Sequence, residues 1–537
     1  MNPARISESL NKIYKDKKSK TRIVFWNDEG GEFKDTLPDL SLDDVTIIHV
    51  DEVPALELKI KLELEDTTGK YLLYSAKSPA SHENDWLLSL RLHSKTFYAD
   101  LASMSLQELG LDELALREHM KTRPQFIKSK SRLESLKKLI DSKDNELDLD
   151  TKMMAVLAGT NQAELFDILF KIFNEHSFLK ELNDEHSKIL SDITKFNLGS
   201  TFWRLVGDKF SYSKSKPRLK DLLIHILVSD FTDSIKTDTP PSLSHFELEH
   251  RTARNNATVF LSLWRNSVTY YASYDRIANL LSRELNISNI LDNLELEQIT
   301  DSMTFEVIER RILTLIRDDL IQDVFVKPDE LRKLIRKRRE GPWANPSFKN
   351  KDDESENRYS IAYEALEHAA ELLGFRKLHD VISFESIEST YKSYVEKFFL
   401  MDKRYRLFHE SARLLENWDY LKSLVPIIEK CYCNWYLDQM ATSWGSVIKG
   451  STNNFLDKWK ALEITNQYDF YTQYIKRLLS GPRTRVYVII SDALRYEAAE
   501  ELVSSLNTKY RFSASIEPML GVLPSYTSLG MAALSPH

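Results

Sequence analysis

Arg485-Val-Tyr-Val-Ile-Ile490 runs into Ser491-Asp492, then ALRYEAAEELVSSL to Leu506, and this stretch decides how the chain is read. The continuous apolar, largely β-branched run of Val486 to Ile490 predicts a buried parallel strand ending at Ser491-Asp492. Leu494, Ala498, Leu502, Val503 and Leu506 recur at helical spacing, predicting a helix with one apolar face. Phe512, Ala514 and Ile516 alternate with polar neighbours, as in a second strand. A strand–helix–strand unit with a right-handed crossover makes the two strands parallel. Open α/β sheets bind ligands outside the carboxyl ends of their strands. Asp492 belongs at one such end, and Thr527 follows the next strand in the turn Pro524-Ser525-Tyr526.

A carboxylate at a strand end is a hard oxygen ligand for a divalent cation. A threonine hydroxyl becomes a useful nucleophile once a base or a metal activates it. Ser528 to Leu534 reads as a short helix whose first N–H groups favour an anionic oxygen. Simpler readings stand beside these. Ser491 or Asp492 can cap the following helix, the Pro524 turn can end in a cap, and Arg495 can be a solvated helix residue instead of a phosphate clamp.

The words SDALRYEAAEEL and PSYTSLGMAALSPH resemble the opening of the PglZ domain, a member of the alkaline phosphatase superfamily. RIVFWNDEGGEF, KYLLYS and DWLLSLRLHSKTFYADLASMSLQELGL are similar to the amino-terminal region of PglZ proteins of type 1 bacteriophage-exclusion (BREX) systems. The resemblance implies that Asp492 binds metal and that Thr527 is both nucleophile and metal ligand. The metal is then zinc, in a two-metal site of a metal-dependent phosphatase or phosphodiesterase of bacterial phage defence. The family takes further Asp and His ligands from later in the domain, whereas this chain ends at His537. The expectation is an amino-terminal fragment cut inside its catalytic domain, inactive by itself and acting as a docking module. Partners implied by the resemblance are other BREX components, the small BrxB protein and the methyltransferase PglX. The competing expectation is a non-catalytic helical scaffold or a nucleic-acid-binding interaction protein.

With 537 residues the chain is several domains long, and its 42% hydrophobic and 29% charged residues suit a sizeable core under a solvated surface. Lys+Arg 73 against Asp+Glu 81 leaves a net charge of −8, so bulk charge does not attract polyanions. The two cysteines, Cys431 and Cys433, lie one residue apart within IIEKCYCNWYLDQM. That spacing is neither a zinc nor a redox motif, and both are expected to be core thiols in a reducing compartment. The polar, lysine-rich start lacks a signal peptide's apolar segment, and no run reaches the ~20 residues that span a bilayer; the expected location is the cytoplasm.

The expected fold class is α/β plus mostly α, in three parts. Residues 1–102 form a small Rossmann-like α/β domain, 103–480 a helical region with two possible subdomains divided near 341–358, and 481–537 the start of a phosphatase-like α/β domain. In the first part, Arg22–Trp26, Val45–Val50 and Lys70–Ser75 read as strands. Asp28, Asp51 and Ser75 would sit near their carboxyl ends. They are read as turn-closing residues because no phosphate-loop glycine pattern is present. In the long middle part only eight of the chain's 14 glycines occur. Leu165, Phe166, Leu169, Ile172 and Phe173 make one helical stripe there. Ala362, Leu366, Ala369 and Leu373 make another, with Gly374 as its expected C-terminal cap. GPWANPSFKNKDDESENR, from Gly341 to Arg358, is the expected linker or mobile loop.

Two basic clusters, LRKLIRKRRE (Leu331 to Glu340) and KSKSRLESLKK (Lys128 to Lys138), could track phosphates or form ordinary solvated helix faces. His225, within LLIHILV, reads as a satisfied core residue, and His537 as a tempting but terminal ligand for the Thr527 site.

Overall fold

The structure is a computed structural model. It describes residues 3–16, 21–28, 31, 33–77, 81, 83–99, 101–111, 115–176, 184–322, 328–345, 358–415, 418–451, 455–461, 463–479, 485–509 and 511–536. Glu29 and Gly30 of the DEGG turn, most of the Gly341 to Arg358 segment, Gly481 and His537 therefore lie outside the described residues. By internal contacts the chain divides into two compact units. One comprises Met1–Ser229, Phe246–Trp264 and Ala272–Tyr274; the other comprises Asp230–His245, Arg265–Tyr271 and Asp275–His537.

The first unit opens with a four-stranded, all-parallel sheet in the order β2-β3-β1-β4. Its strands are β1 (Ile23–Asn27), β2 (Val45–His49), β3 (Lys70–Ser75) and β4 (Lys95–Phe97). Both faces are covered, which is why the strands read as unbroken apolar runs. Val24 and Trp26 join Leu72, Tyr74 and Phe97 beneath α1 (Pro3–Lys15) through Ile6 and Leu10. Ile23 and Phe25 join Tyr71 and Leu73 on the opposite face, against Leu58 and Leu62 from α2 (Ala55–Ile60) and its continuation, and Leu90 of α3 (Leu88–Leu92). The three longer strands fall where the sequence places them, whereas β4, three residues long, left no period to detect.

The polar residues at the strand ends close turns. Asp28 accepts the Phe33 amide at 2.7 Å and the Tyr74 hydroxyl at 2.6 Å. Asp51 accepts the Ser75 hydroxyl at 3.0 Å and the Ala76 amide at 2.8 Å. Burial and the Asp28 charge push the Tyr74 phenol up, so it remains a donor.

The rest of this unit is helical. In α4 (Glu146–Ala158), Asp150 is buried and gathers the Arg123 guanidinium at 2.6 and 2.9 Å, the His119 ring at 2.8 Å and the Thr201 hydroxyl at 2.6 Å. In α5 (Leu165–His176), Phe170 stacks on Phe260 with ring centres 4.9 Å apart, and Phe173 on Trp264 at 5.1 Å. His225, in α6 (Leu219–Ser234), is buried and shares a 2.7 Å hydrogen bond with the Phe246 carbonyl, as a satisfied core histidine should.

The second unit packs α7 (Glu306–Ile321), α8 (Pro328–Arg339), α9 (Arg358–Leu378) and α10 (Phe399–Leu414) against one another. The basic stretch Leu331 to Glu340 lies on α8, and its arginines are largely committed inside the unit. Arg338 is fully buried against Glu309, with its remaining N–H groups on the Ser302 and Thr300 carbonyls. Arg332 meets Glu371 at 3.0 Å, and Arg339 the Ser360 hydroxyl at 3.2 Å. Gly374 is not a cap. Helix α9 continues to Leu378 because Phe375, one residue on, packs edge-on against Phe398 at 5.4 Å. Cys431 is a buried thiol pushed up to about 11 by burial, but Cys433 is exposed, donating to Glu429 at 3.2 Å. A gap of one residue cannot put both sulphurs on the same side of a helix.

The clearest departure from the sequence reading is at its starting point. Among the described residues there is no strand after β4; Val486–Ile490 and Phe512–Ile516 adopt no regular secondary structure. Tyr487 is 82% exposed, Ile489 92% and Phe512 68%. A parallel strand needs neighbours and covering helices, and the described residues supply none there. The helix between them, α11 (Tyr496–Lys509), does not bury its expected apolar face, with Ala498, Val503 and Leu506 only half-buried. Leu494 and Leu502, on the expected inward face, are about half exposed, while Glu497 is fully buried. No helix among the described residues is long and apolar enough to cross a membrane.

Candidate active site

Asp492 follows the segment 485–490 and precedes Ala493, which adopts a left-handed conformation with φ 55. Helix α11 starts only at Tyr496, its first turn closing through Ala498 N–H to the Arg495 carbonyl at 3.1 Å. The Asp492 carboxylate is thus too early to cap it. Thr527 is the first residue of α12 (Thr527–Leu534), preceded by an extended Tyr526 that makes no side-chain cap bond. The Thr527 hydroxyl donates to Asp492 Oδ2 at 3.0 Å and lies 3.3 Å from Oδ1. Both residues are exposed. The structure therefore brings together the two side chains singled out in the sequence, without the sheet that was expected to align them.

Two sets of contacts hold the pair. On the threonine side, Leu520 N–H donates to the Thr465 carbonyl at 2.8 Å and Gln467 N–H to the Leu520 carbonyl at 3.0 Å. The Gln467 side chain then accepts the Val522 amide at 3.2 Å and donates to the Gly530 carbonyl at 3.3 Å. Trp459 adds a bond to the Gly521 carbonyl at 2.8 Å. On the carboxylate side, Arg495 reaches Asp402 of α10 at 3.3 Å and so points at the helical body. Asp402 also accepts the Tyr394 and Tyr432 hydroxyls, each at 2.6 Å. Burial, and then the Asp402 charge, push both phenols up, so they stay protonated donors. Gln467, Asp402, Tyr394 and Tyr432 were not singled out in the sequence, where no motif or spacing links them to Asp492 or Thr527.

Asp492 Oδ and Thr527 Oγ1 offer two adjacent oxygen donors open to solvent, which fits one side of a hard-cation site. A structural or catalytic zinc takes three or four protein ligands. No group of three or more His, Cys, Asp or Glu side chains suited to a metal occurs among the described residues. What the pair can do unaided is orient a hydroxyl toward a proton acceptor, the first requirement for a nucleophilic threonine.

Residues 470–537 match the family model described as the BREX system PglZ alkaline phosphatase-like domain. Over 531 residues the chain is 32% identical to an alkaline phosphatase-like protein, BrxZ, of Escherichia coli O9:H4 (strain HS), covering 97% of this chain and 60% of that protein. Over 540 residues it is 29% identical to an alkaline phosphatase-like protein, PglZ, of Bacillus cereus (strain H3081.97), covering 99% and 59% respectively. The chain thus spans about three-fifths of the length of these relatives. No solved structure matches it. The segment that carries Asp492 and Thr527 thus bears the PglZ signature, and along nearly its whole length the chain is similar to alkaline phosphatase-like proteins of the PglZ kind.

Proposed function

We propose that Thr527 and Asp492 are the nucleophile and first metal ligand of a metal-dependent phosphatase or phosphodiesterase working within a BREX phage-defence system. The observation that carries this is the Thr527 hydroxyl bonded to Asp492 at 3.0 Å within the PglZ-matching segment. In the reaction, Thr527 Oγ1 attacks phosphorus, the P–O bond to the leaving alcohol breaks, and a phosphothreonine forms. The hydroxyl proton is already directed at the Asp492 carboxylate. That proton passes to the leaving alkoxide; water then attacks phosphorus, the P–Oγ1 bond breaks to release phosphate or a phosphomonoester, and a water proton restores the Oγ1 hydroxyl. A divalent metal, zinc in this reading, would stabilise the attacking alkoxide and the charge on the phosphoryl oxygens. Backbone N–H groups of the first turn of α12 have no intrahelical partner and can share that task.

Two donors are too few for the metal, and in this reading residues 1–537, which span about three-fifths of the relatives' length, are inactive by themselves. The exposed apolar run at Tyr487–Ile490 and the exposed Leu502 of α11 support the same reading, because a covering surface would remove them from water. The test is hydrolysis of bis(p-nitrophenyl) phosphate with and without zinc. A chain of the relatives' full length should hydrolyse it, residues 1–537 should not, and Thr527→Ala in the long chain should abolish turnover. Retention of full activity by that variant would remove Thr527 from the mechanism.

A second, compatible role is docking of other BREX components, such as BrxB or PglX. In the first unit Leu56, Ile60 and Leu64 are exposed at four-residue intervals along α2 and its continuation, a spacing that partner helices read. A pull-down with purified BrxB and PglX tests it, and Leu56→Asp with Leu64→Asp should weaken capture. The nucleic-acid alternative is less well supported, since Arg332, Arg338 and Arg339 are engaged within the unit.

A further inference from the structure

Helix α11 is attached to the body through charge. On α10, Asp402, Lys403 and Arg406 share one side, a spacing that stacks them along a helix face. Opposite them α11 presents Glu497, Glu500 and Glu501. Lys403 meets Glu500 at 2.7 Å, and Arg406 meets Glu497 at 2.9 Å and Glu501 at 2.5 Å. Tyr496 adds an edge-on contact with Phe399 at 5.3 Å. At the amino-terminal end of this ladder stands Arg495, its guanidinium on Asp402 at 3.3 Å and 3.8 Å from Glu497. Asp402 is buried and aimed by two tyrosine hydroxyls, so the anchor is itself fixed before Arg495 arrives.

Between this anchor and Asp492 there are only Ala493 and Leu494. Ala493 is left-handed at φ 55, a conformation that a residue with a Cβ keeps only when its surroundings impose it. From the far side, the one polar side-chain contact reaching this turn among the described residues is Thr527 on Asp492, which is exposed and weak by itself. The stronger anchor beside the turn is Arg495, held on the buried Asp402. The geometry points to Arg495 and Asp402 as positioning residues: a strut from α10 that keeps the Ala493 turn left-handed and so holds the Asp492 carboxylate against Thr527. It rests on the reading of Asp492 and Thr527 as the reacting pair, and it gives Arg495 a place other than phosphate binding.

The test uses residues 1–537, with amide hydrogen exchange followed at Ala498 and Ala499, whose N–H groups bond the Arg495 carbonyl at 3.1 and 3.0 Å. Arg495→Gln, a change at a half-exposed side chain, should raise exchange there roughly tenfold, the factor corresponding to the penalty of a left-handed alanine. Asp402→Asn should do the same, and Arg495→Lys should restore most of the protection. Lys403→Gln, which cuts the ladder further along at Glu500, should leave the Ala498 and Ala499 exchange within twofold of the parent. If Asp402→Asn lowers the helical circular dichroism of the body, Arg495→Gln decides alone. Exchange within twofold of the parent in Arg495→Gln overturns the strut. In a chain of the relatives' full length, Arg495→Gln should lower kcat about tenfold with KM unchanged, and an unaltered kcat despite faster exchange would overturn the positioning role. Failure of the enzyme reading shows separately, as hydrolysis that survives Thr527→Ala, and leaves the exchange result standing.

Discussion

Replacing Arg338 by methionine separates two views of the basic stretch Leu331 to Glu340. If the stretch were a solvated, phosphate-tracking face, the change would cost stability little, within about 0.5 kcal/mol for a surface site. The structure requires otherwise. Arg338 and Glu309 are both fully buried, the guanidinium spans both carboxylate oxygens, and its other N–H groups sit on the Ser302 carbonyl at 2.7 Å and the Thr300 carbonyl at 3.4 Å. Glu309 also accepts the Tyr363 hydroxyl at 2.5 Å. Removing the guanidinium leaves a buried carboxylate with one phenol for company, a loss of roughly 3–5 kcal/mol. Removing both charges, as Arg338→Met with Glu309→Met, takes away the desolvation cost as well and should recover most of that loss. The assay is urea unfolding followed by near-ultraviolet circular dichroism, with both single variants and the double variant forming a cycle. A coupling of about 3 kcal/mol or more is expected. A single Arg338→Met variant within about 1 kcal/mol of the parent would refute the buried placement and reopen the nucleic-acid reading of this helix.

His368 is buried beside Arg404 and feels Arg339, Arg406 and Lys403, with Glu364 4.0 Å from its other nitrogen; burial first, then these cations, lower it to about 3. Because the unfolded chain takes up that proton near the ordinary value of 6.5, stability falls as pH drops below it, by about 2 kcal/mol between pH 7 and 5. His368→Gln should flatten that part of the urea-midpoint profile. Burial raises Asp150, but bonds from His119, Arg123 and Thr201 outweigh it and hold it below 3.8, so its contribution is present above that pH and lost as pH falls through the depressed value. Asp150→Asn should cost roughly 3 kcal/mol at pH 7, measured as the shift in urea midpoint. At the left-handed Ala493, glycine should be tolerated within about 0.5 kcal/mol, while valine should cost at least ~1 kcal/mol.

How much was legible in the sequence depended on whether the signal was local. Strands β1 to β3 could be read because each is an apolar run covered on both faces by residues near it in the chain. Val486–Ile490 carries the same signal, yet pattern records only a strand's suitability for burial and not the presence of partners. The expected apolar face of α11 gives way to its glutamates for a related reason: their mate is the Lys403 and Arg406 face of a distant helix. Asp492 and Thr527 stood out as hard-oxygen and hydroxyl residues at chain turns, and they meet in space. Asp402 and Gln467 lie far away in sequence with no period or motif to mark them. Gly374 looked like a stop because a glycine ends many helices, but the aromatic residue after it had a reason to continue.

A helix that grips its neighbour through carboxylates and shows leucines to the solvent has a consequence for assembly order. Its seat is set by ionic attraction, so it can be in place before any oily surface is covered. Any surface that comes to cover it then meets a pre-aimed platform and need only dehydrate it. Salt and solvent polarity should act on the two stages separately: concentrated chloride loosens the seat, whereas mild detergent competes for the open leucine side.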